Sequence, residues 1–169
     1  MARPVDPHRR DAVLAQAADY VLERGLAGLS LRPLAKALGT SPRMLLYDFG
    51  TKERLIHEIL AEIRRREAAL LDAEVRTLED VWRWISAPER EPFLRVFFEV
   101  YVAALGRDEA APFVRDWLEF LRERWRPSVD EAKATLMVAV IRGLLLDRLA
   151  TGDRARTDRA VSRFVELVS

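Results

Sequence analysis

Apolar positions recur at helical spacing along nearly the whole chain. Val13, Leu14, Ala17, Ala18, Val21 and Leu22 form one stripe, which predicts a helix from about residue 7 to residue 24, closed by Gly25. Leu26 and Leu29 follow in a loop and are expected to plug the core beneath it. Ser30 is the expected N-cap of a short second helix over about 31–38, with Pro33 in its first turn and Gly39 at its end. Ser41 and Pro42 open a third short helix, about 42–49, closed by Gly50. Thr51 then caps a fourth helix expected to run to about Val75, with Leu55, Ile56, Ile59, Leu60, Ile63, Leu70 and Leu71 as its apolar positions.

The remainder follows the same rule. Thr77 caps a short helix through Trp82, Trp84 and Ile85. Ser86 and Glu89 have capping-box spacing ahead of the apolar segment from Phe93 to Leu105. Asp108 is placed to cap a helix over about 109–125, which Pro127 stops. Ser128 and Glu131 form a second expected capping box, opening a long helix to about Ala150. Asp153 opens the last helix, with Val161, Phe164, Val165 and Val168 on one stripe. About nine helices are expected, and no alternating strand pattern bounded by hairpin turns occurs, so the fold class is all-α.

The long helix is unusual. From Leu136 to Leu146 it is apolar nearly all round, which predicts burial on both sides. One side is assigned to its own domain and the other to a second copy of the chain, with Gly143 allowing close approach. Met137, Ile141, Gly143, Leu144, Val161, Phe164, Val165 and Val168 are the candidate interface of a homodimer.

Composition narrows the function. The 169 residues can bury a real core and carry no cysteine, which excludes disulfides and thiolate chemistry and fits a reducing compartment. No segment approaches the ~20 apolar residues needed to span a bilayer. The basic N-terminus is followed by no hydrophobic stretch, so a cytoplasmic protein is expected. Residues 1–65 hold 11 Lys+Arg against 8 Asp+Glu, a net of +3, while the rest hold 17 against 19, a net of −2. The asymmetry is mild, and it places the positive charge on the short-helix segment. His8 and His57 are the only histidines, and no HExxH, phosphate loop or GxSxG run occurs. A non-enzymatic protein without cofactor or metal is expected.

The second and third helices are too short to be stable alone and need the first and fourth for support. Their connection, Leu38-Gly39-Thr40-Ser41, is a tight turn containing glycine and a cap, the signature of a helix-turn-helix whose second helix enters the major groove. Arg10 to Leu60 resembles the DNA-binding domain of the TetR family of bacterial transcriptional regulators. The matching residues are Ala17-Ala18, Gly25, Leu29-Ser30-Leu31-Arg32, Leu34-Ala35, Leu38-Gly39-Thr40-Ser41, Leu45, Phe49, Thr51-Lys52-Glu53 and Leu55. The Ile141-Arg142-Gly143-Leu144-Leu145-Leu146 run with the final helix resembles the family's dimerisation pair.

The resemblance implies a homodeomain-like three-helix DNA-binding domain over 1–52, linked through the fourth helix (about 52–75) to an effector-binding and dimerisation domain over 76–169. It implies a ligand-responsive repressor on a palindromic double-stranded operator, with a helical protein-interaction scaffold as the alternative. One position departs from the family. Its usual tyrosine after the leucine equivalent to Leu45 is Leu46 here, and Tyr47 lies one place later, about 100° further round the helix.

Arg43, Met44 and Tyr47 share one helical face and are the candidate base contacts, Arg43 suiting guanine and the other two a thymine methyl. Leu45 and Phe49 are expected in the core. Leu46 either packs inward or rests against sugar and phosphate, and Asp48 is expected to turn away from DNA. Thr40, Ser41, Pro42, Thr51, Lys52 and Arg32 complete the candidate interface, Lys52 reinforcing the anion preference of a helix N-terminus. Arg9 and Arg10 either neutralise phosphate or are simply solvated. Arg64-Arg65-Arg66 lies ~20 Å along the fourth helix from Lys52 and is read as a solvated or interdomain face. Trp82, Phe97, Tyr101, Trp117 and Phe120 are candidate pocket residues for an unknown apolar or aromatic effector, or else filled core.

Overall fold

The computed structural model describes residues 7–70, 75, 77–103, 105, 119, 123 and 129–168. Among these residues the elements are α1 (Pro7–Arg24), α2 (Leu31–Ala37), α3 (Pro42–Phe49), α4 (Lys52–Ala69), α5 (Leu78–Ile85), a 3-10 turn (Pro88–Arg90), α6 (Glu91–Ala103), α7 (Glu131–Thr151) and α8 (Arg154–Val168). The helix expected over 109–125 lies outside the described residues. The chain divides into two compact units, Met1–Leu71 and Asp72–Ser169.

In the first unit α1 packs along α4, α3 lies on α4, and α2 lies on α3 and α1. Ala17, Ala18 and Val21 of α1 meet Leu34, Leu45, Phe49, Leu55 and Ile59 in a core closed to solvent. Each large side chain buried there contributes about 1.5–3 kcal/mol, which is what holds two helices too short to stand alone. Leu29 is buried, as its loop position predicts, and Leu26 is half-buried. α4 ends at Ala69, six residues before the expected Val75, and the expected apolar position Leu70 is exposed.

In the second unit α7 packs on α8, α5 on α8 and α6 on α7. Leu78, Trp82, Ile85, Leu94, Phe98, Met137, Val138, Ile141, Leu145 and Val161 form its core. Thr77 caps α5 through a reciprocal box, its hydroxyl accepting from the Asp80 N–H and the Asp80 carboxylate accepting from the Thr77 N–H. Asp153 likewise accepts from the Arg156 N–H at 3.0 Å.

Two expected caps are replaced. Ser86 ends α5 instead of opening α6, because the Ala87-Pro88 step turns the chain into the 3-10 segment before α6 begins at Glu91. Asp130 caps α7, its carboxylate accepting from the Lys133 N–H at 2.8 Å, so the helix starts at Glu131, two residues later than a Ser128 cap would set it.

α7 is not buried all round. Ala134, Met137, Val138, Ile141 and Leu145 point into the core, while Leu136, Gly143 and Leu146 are exposed. Met137, Ile141 and Val161, expected at an intersubunit surface, are therefore committed to their own unit. Gly143 is open, with nothing within 4 Å of an added Cβ, and Leu144, Phe164, Val165 and Val168 are half-buried.

Candidate nucleic-acid interface

The turn between α2 and α3 is built from the backbone. Gly39 takes φ +63°, its N–H donates to the Lys36 carbonyl at 3.3 Å, and the Thr40 N–H donates to the Ala35 carbonyl at 2.9 Å. This pair of bonds is a Schellman closure, which needs a left-handed residue at Gly39 and satisfies carbonyls that the short helix would otherwise leave open. Ser30 sits at the N-cap of α2 with extended backbone, but its hydroxyl makes no capping bond. The reason is local: Pro33 occupies the third helical position, where the N–H that a capping hydroxyl accepts from is missing.

α3 is capped conventionally. The Ser41 hydroxyl accepts from the Met44 N–H at 3.2 Å, and Pro42 fills the first helical position. The helix then divides into two faces. Leu45 and Phe49 are sealed in the core, as expected, and Arg43, Met44, Leu46 and Tyr47 are exposed. Leu46, whose side was open in the sequence, lies on the exposed side. Three bulky apolar or aromatic side chains on one solvated turn are costly unless a partner covers them.

Asp48 is turned away from solvent, its side chain 1% exposed. Arg9 on α1 reaches it, one guanidinium nitrogen lying 2.5 and 2.6 Å from the two carboxylate oxygens. Arg10 donates from Nε to the Asp48 carbonyl at 3.2 Å, places its guanidinium 4.7 Å from the centre of the Phe49 ring, and pairs with Glu58 on α4. The structure thus assigns both arginines to protein contacts, where phosphate neutralisation was one expectation. Their partners lie 38 to 48 residues away, beyond the reach of local pattern.

Gly50 ends α3 at φ +85°, and α4 starts immediately. The Thr51 hydroxyl accepts from the Arg54 N–H at 3.1 Å. Lys52 is half-buried at the first position, and Arg54, two residues on, is exposed and 3.5 Å from Glu58. Arg54 was not singled out from the sequence; its place in the first turn after a cap was the available signal. Arg32 on α2 is exposed too, while Thr40 and Pro42 are half-buried. Nine candidate residues thus fall on three consecutive elements of one small unit, around a helix with a greasy outer face.

Residues 13–59 match the model of the TetR family of bacterial regulatory proteins, in the region that carries its N-terminal domain. Among solved structures, the multidrug binding protein EbrR, in complex with imidazole, is 26% identical with a TM-score of 0.67, covering 95% of this chain and 91% of that one. The chain thus carries a TetR-type N-terminal domain over residues 13–59 and has a fold similar to that of EbrR. A TetR-family transcriptional regulator from Rhodococcus sp. shares the fold at 23% identity and a TM-score of 0.65, covering 95% of this chain and all of that one. So does the transcriptional regulator SCO7518 from Streptomyces coelicolor A3(2), at 22% identity and 0.66, covering 94% and 99%. No curated protein matches.

With this domain and fold the chain is a DNA-binding regulator of transcription, built on a helix-turn-helix unit. Among the described residues no helix is long and apolar enough to cross a membrane. The triple arginine is engaged within the unit: Arg66 pairs with Asp19 at 2.6 Å, donates to the Ala15 carbonyl and, like Arg65, bonds Glu62. Hydrogen bonds from Arg65 and Arg66 hold the Glu62 carboxyl down to about 2.

The pocket candidates separate. Trp82 is core, its indole N–H donating to Asp158 at 2.8 Å with the Arg148 guanidinium 5.5 Å from its ring centre. Phe97 and Tyr101 are half-buried and stacked at 6.2 Å, with Arg142 5.0 Å from the Tyr101 ring centre. Trp117 and Phe120 lie outside the described residues. A cleft of about 180 Å³ lies elsewhere in the second unit, with Leu94, Leu145 and Leu149 on its floor and Arg95, Arg148 and Arg154 at its rim.

Proposed function

We propose that this regulator is a repressor that binds a palindromic operator as a homodimer, each protomer laying α3 in the major groove. The observation that carries the reading is the outer face of α3. Arg43, Met44, Leu46 and Tyr47 project from a helix whose other face is anchored by Leu45 and Phe49, so one cation and three apolar contacts are available to base edges and methyl groups. Thr51 and Lys52, with Arg32, supply phosphate contacts beside it, and the helix dipole of α4 adds to the same preference. The tyrosine contact usual in the family is not carried over, because Leu46 stands at that position and can offer only an apolar touch on sugar.

The homodimer is supported by the exposed apolar positions Leu136, Gly143 and Leu146 of α7 and by the incomplete burial of Phe164 and Val168 of α8. The effector of this reading is an apolar or aromatic small molecule bound in the second unit near Phe97 and Tyr101. Ligand binding by EbrR, in complex with imidazole and in a second structure with proflavin, supports the class of response. The protein acts in the cytoplasm, where its operator is.

Selection of duplexes from a random library tests the reading, followed by gel shift across a salt series. Enrichment of an inverted repeat, with affinity falling steeply as salt rises, is the expected result. Failure to enrich any duplex would leave the scaffold reading in its place.

A further inference from the structure

We propose that Arg9 and Arg10 are positioning residues for DNA reading: they set the roll of α3 through Asp48 and Phe49, so that operator selectivity depends on two side chains that touch no base. The proposal rests on the reading of α3 as the groove helix. Four attachments converge on the last turn of that helix. Arg9 takes both oxygens of the Asp48 carboxylate, and Arg10 takes the Asp48 carbonyl and covers the Phe49 ring. Arg10 is itself tied to Glu58, so α1, α3 and α4 meet at one cluster.

The geometry suits control of orientation. α3 has eight residues, about two turns, so a bond on its last turn has leverage over the whole element. The apolar anchors Leu45 and Phe49 resist lifting, but packed hydrocarbon resists sliding and rolling poorly. Directional bonds to a buried carboxylate supply that resistance. Asp48 directly follows Tyr47 and lies one turn from Met44, so a change in roll at Asp48 moves both outward side chains sideways across base edges. A misplacement of about 1 Å is enough to degrade a hydrogen-bonded or methyl contact.

The bland role is stability alone: Arg9 would merely neutralise a buried charge. The two roles predict different behaviour for a pair of variants. Arg9→Ala strands the Asp48 carboxylate, so both roles expect a lower melting temperature. Arg9→Ala combined with Asp48→Asn removes the stranded charge, so the melting temperature should return most of the way. Under the positioning role selectivity does not return, because the brace is still missing.

The experiment selects duplexes with the wild-type chain and measures binding of the selected duplex and its single-base variants at fixed salt. Discrimination of about 5- to 100-fold per base pair, the usual cost of one mismatch, is expected to fall about threefold or more in Arg9→Ala and in the double variant, and to be kept in Arg9→Lys. Recovery of both stability and discrimination in the double variant would overturn the proposal. So would unchanged discrimination with a salt slope reduced by about one in Arg9→Ala, the mark of a lost phosphate contact. Amide exchange without DNA is the second measurement: exchange over 42–49 should rise in the double variant while 55–66 stays protected, and equal protection of 42–49 would also overturn it. A wild-type chain that enriches no duplex removes the groove-helix reading, and the exchange comparison then decides the brace alone.

Discussion

Replacing Asp158 with alanine tests the node that ties α5, α7 and α8 together. The Asp158 carboxylate accepts from the Trp82 indole at 2.8 Å and from the Arg148 guanidinium at 2.6 Å, and Arg148 also donates to the Thr157 hydroxyl at 3.2 Å and lies over the Trp82 ring. Asp158→Ala leaves the indole N–H of a buried ring without that acceptor, a loss of about 1–3 kcal/mol. Arg148 keeps Thr157, and the Asp158 side chain is 51% exposed, so the broken ion pair adds no more than about 0.5–1 kcal/mol. The expected cost is about 2–3 kcal/mol, read as the shift in urea midpoint by far-UV circular dichroism. Asp158→Asn keeps an oxygen acceptor but not the charge and should cost about half as much. In a Trp82→Phe background the same alanine substitution should cost under about 1 kcal/mol, because the donor is already gone. An equal cost in both backgrounds, or a cost within about 0.5 kcal/mol of zero, would refute the role given to the indole bond.

Gly39→Ala meets no atom within 4 Å, so its whole cost is the positive φ, about 1–2 kcal/mol in denaturant midpoint; a neutral result would remove the Schellman account of the turn. Leu146→Glu puts a charge on the exposed apolar side of α7, and sedimentation at micromolar concentration should show monomer where the wild type shows dimer. Arg43→Ala should relax preference at one base pair, while Lys52→Ala should weaken all duplexes alike and lower the salt slope by about 1; gel shifts across single-base variants separate the two. Glu62 has a folded pKa of about 2 against an ordinary 4.5, so its stabilisation is complete above pH 4.5 and is lost as pH falls toward 2. Glu62→Gln should therefore flatten the acid limb of the stability curve over that window, and an unchanged limb would refute the Arg65–Arg66 pairing.

Local signals were legible where local physics decides. Ser41, Thr51, Thr77 and Asp153 cap as their spacing predicts, and Leu45 and Phe49 are buried because an eight-residue helix can anchor only one side. Competing caps were harder. Ser128 and Asp130 are both good caps two residues apart, and the choice of Asp130 rests on where α7 meets the core. The inward side of α7 could not be read at all, because a helix apolar on every side carries no directional pattern. Met137 and Leu136 are equally hydrophobic neighbours with opposite fates. Arg9 and Arg10 were obscure for another reason: their partners come from the tertiary fold, and nothing near them in sequence distinguishes a phosphate-binding arginine from a structural one.

The sequestered Asp48 changes what α3 offers to a polyanion. By formal count the helix is neutral, with Arg43 and Asp48 as its only charges. The carboxylate, however, is withdrawn from solvent and matched by a guanidinium from another helix, so the charge presented outward is that of Arg43. A tally of residues along the helix therefore understates its attraction for DNA. The negative member of the tally is spent inside the protein, at the junction with α1.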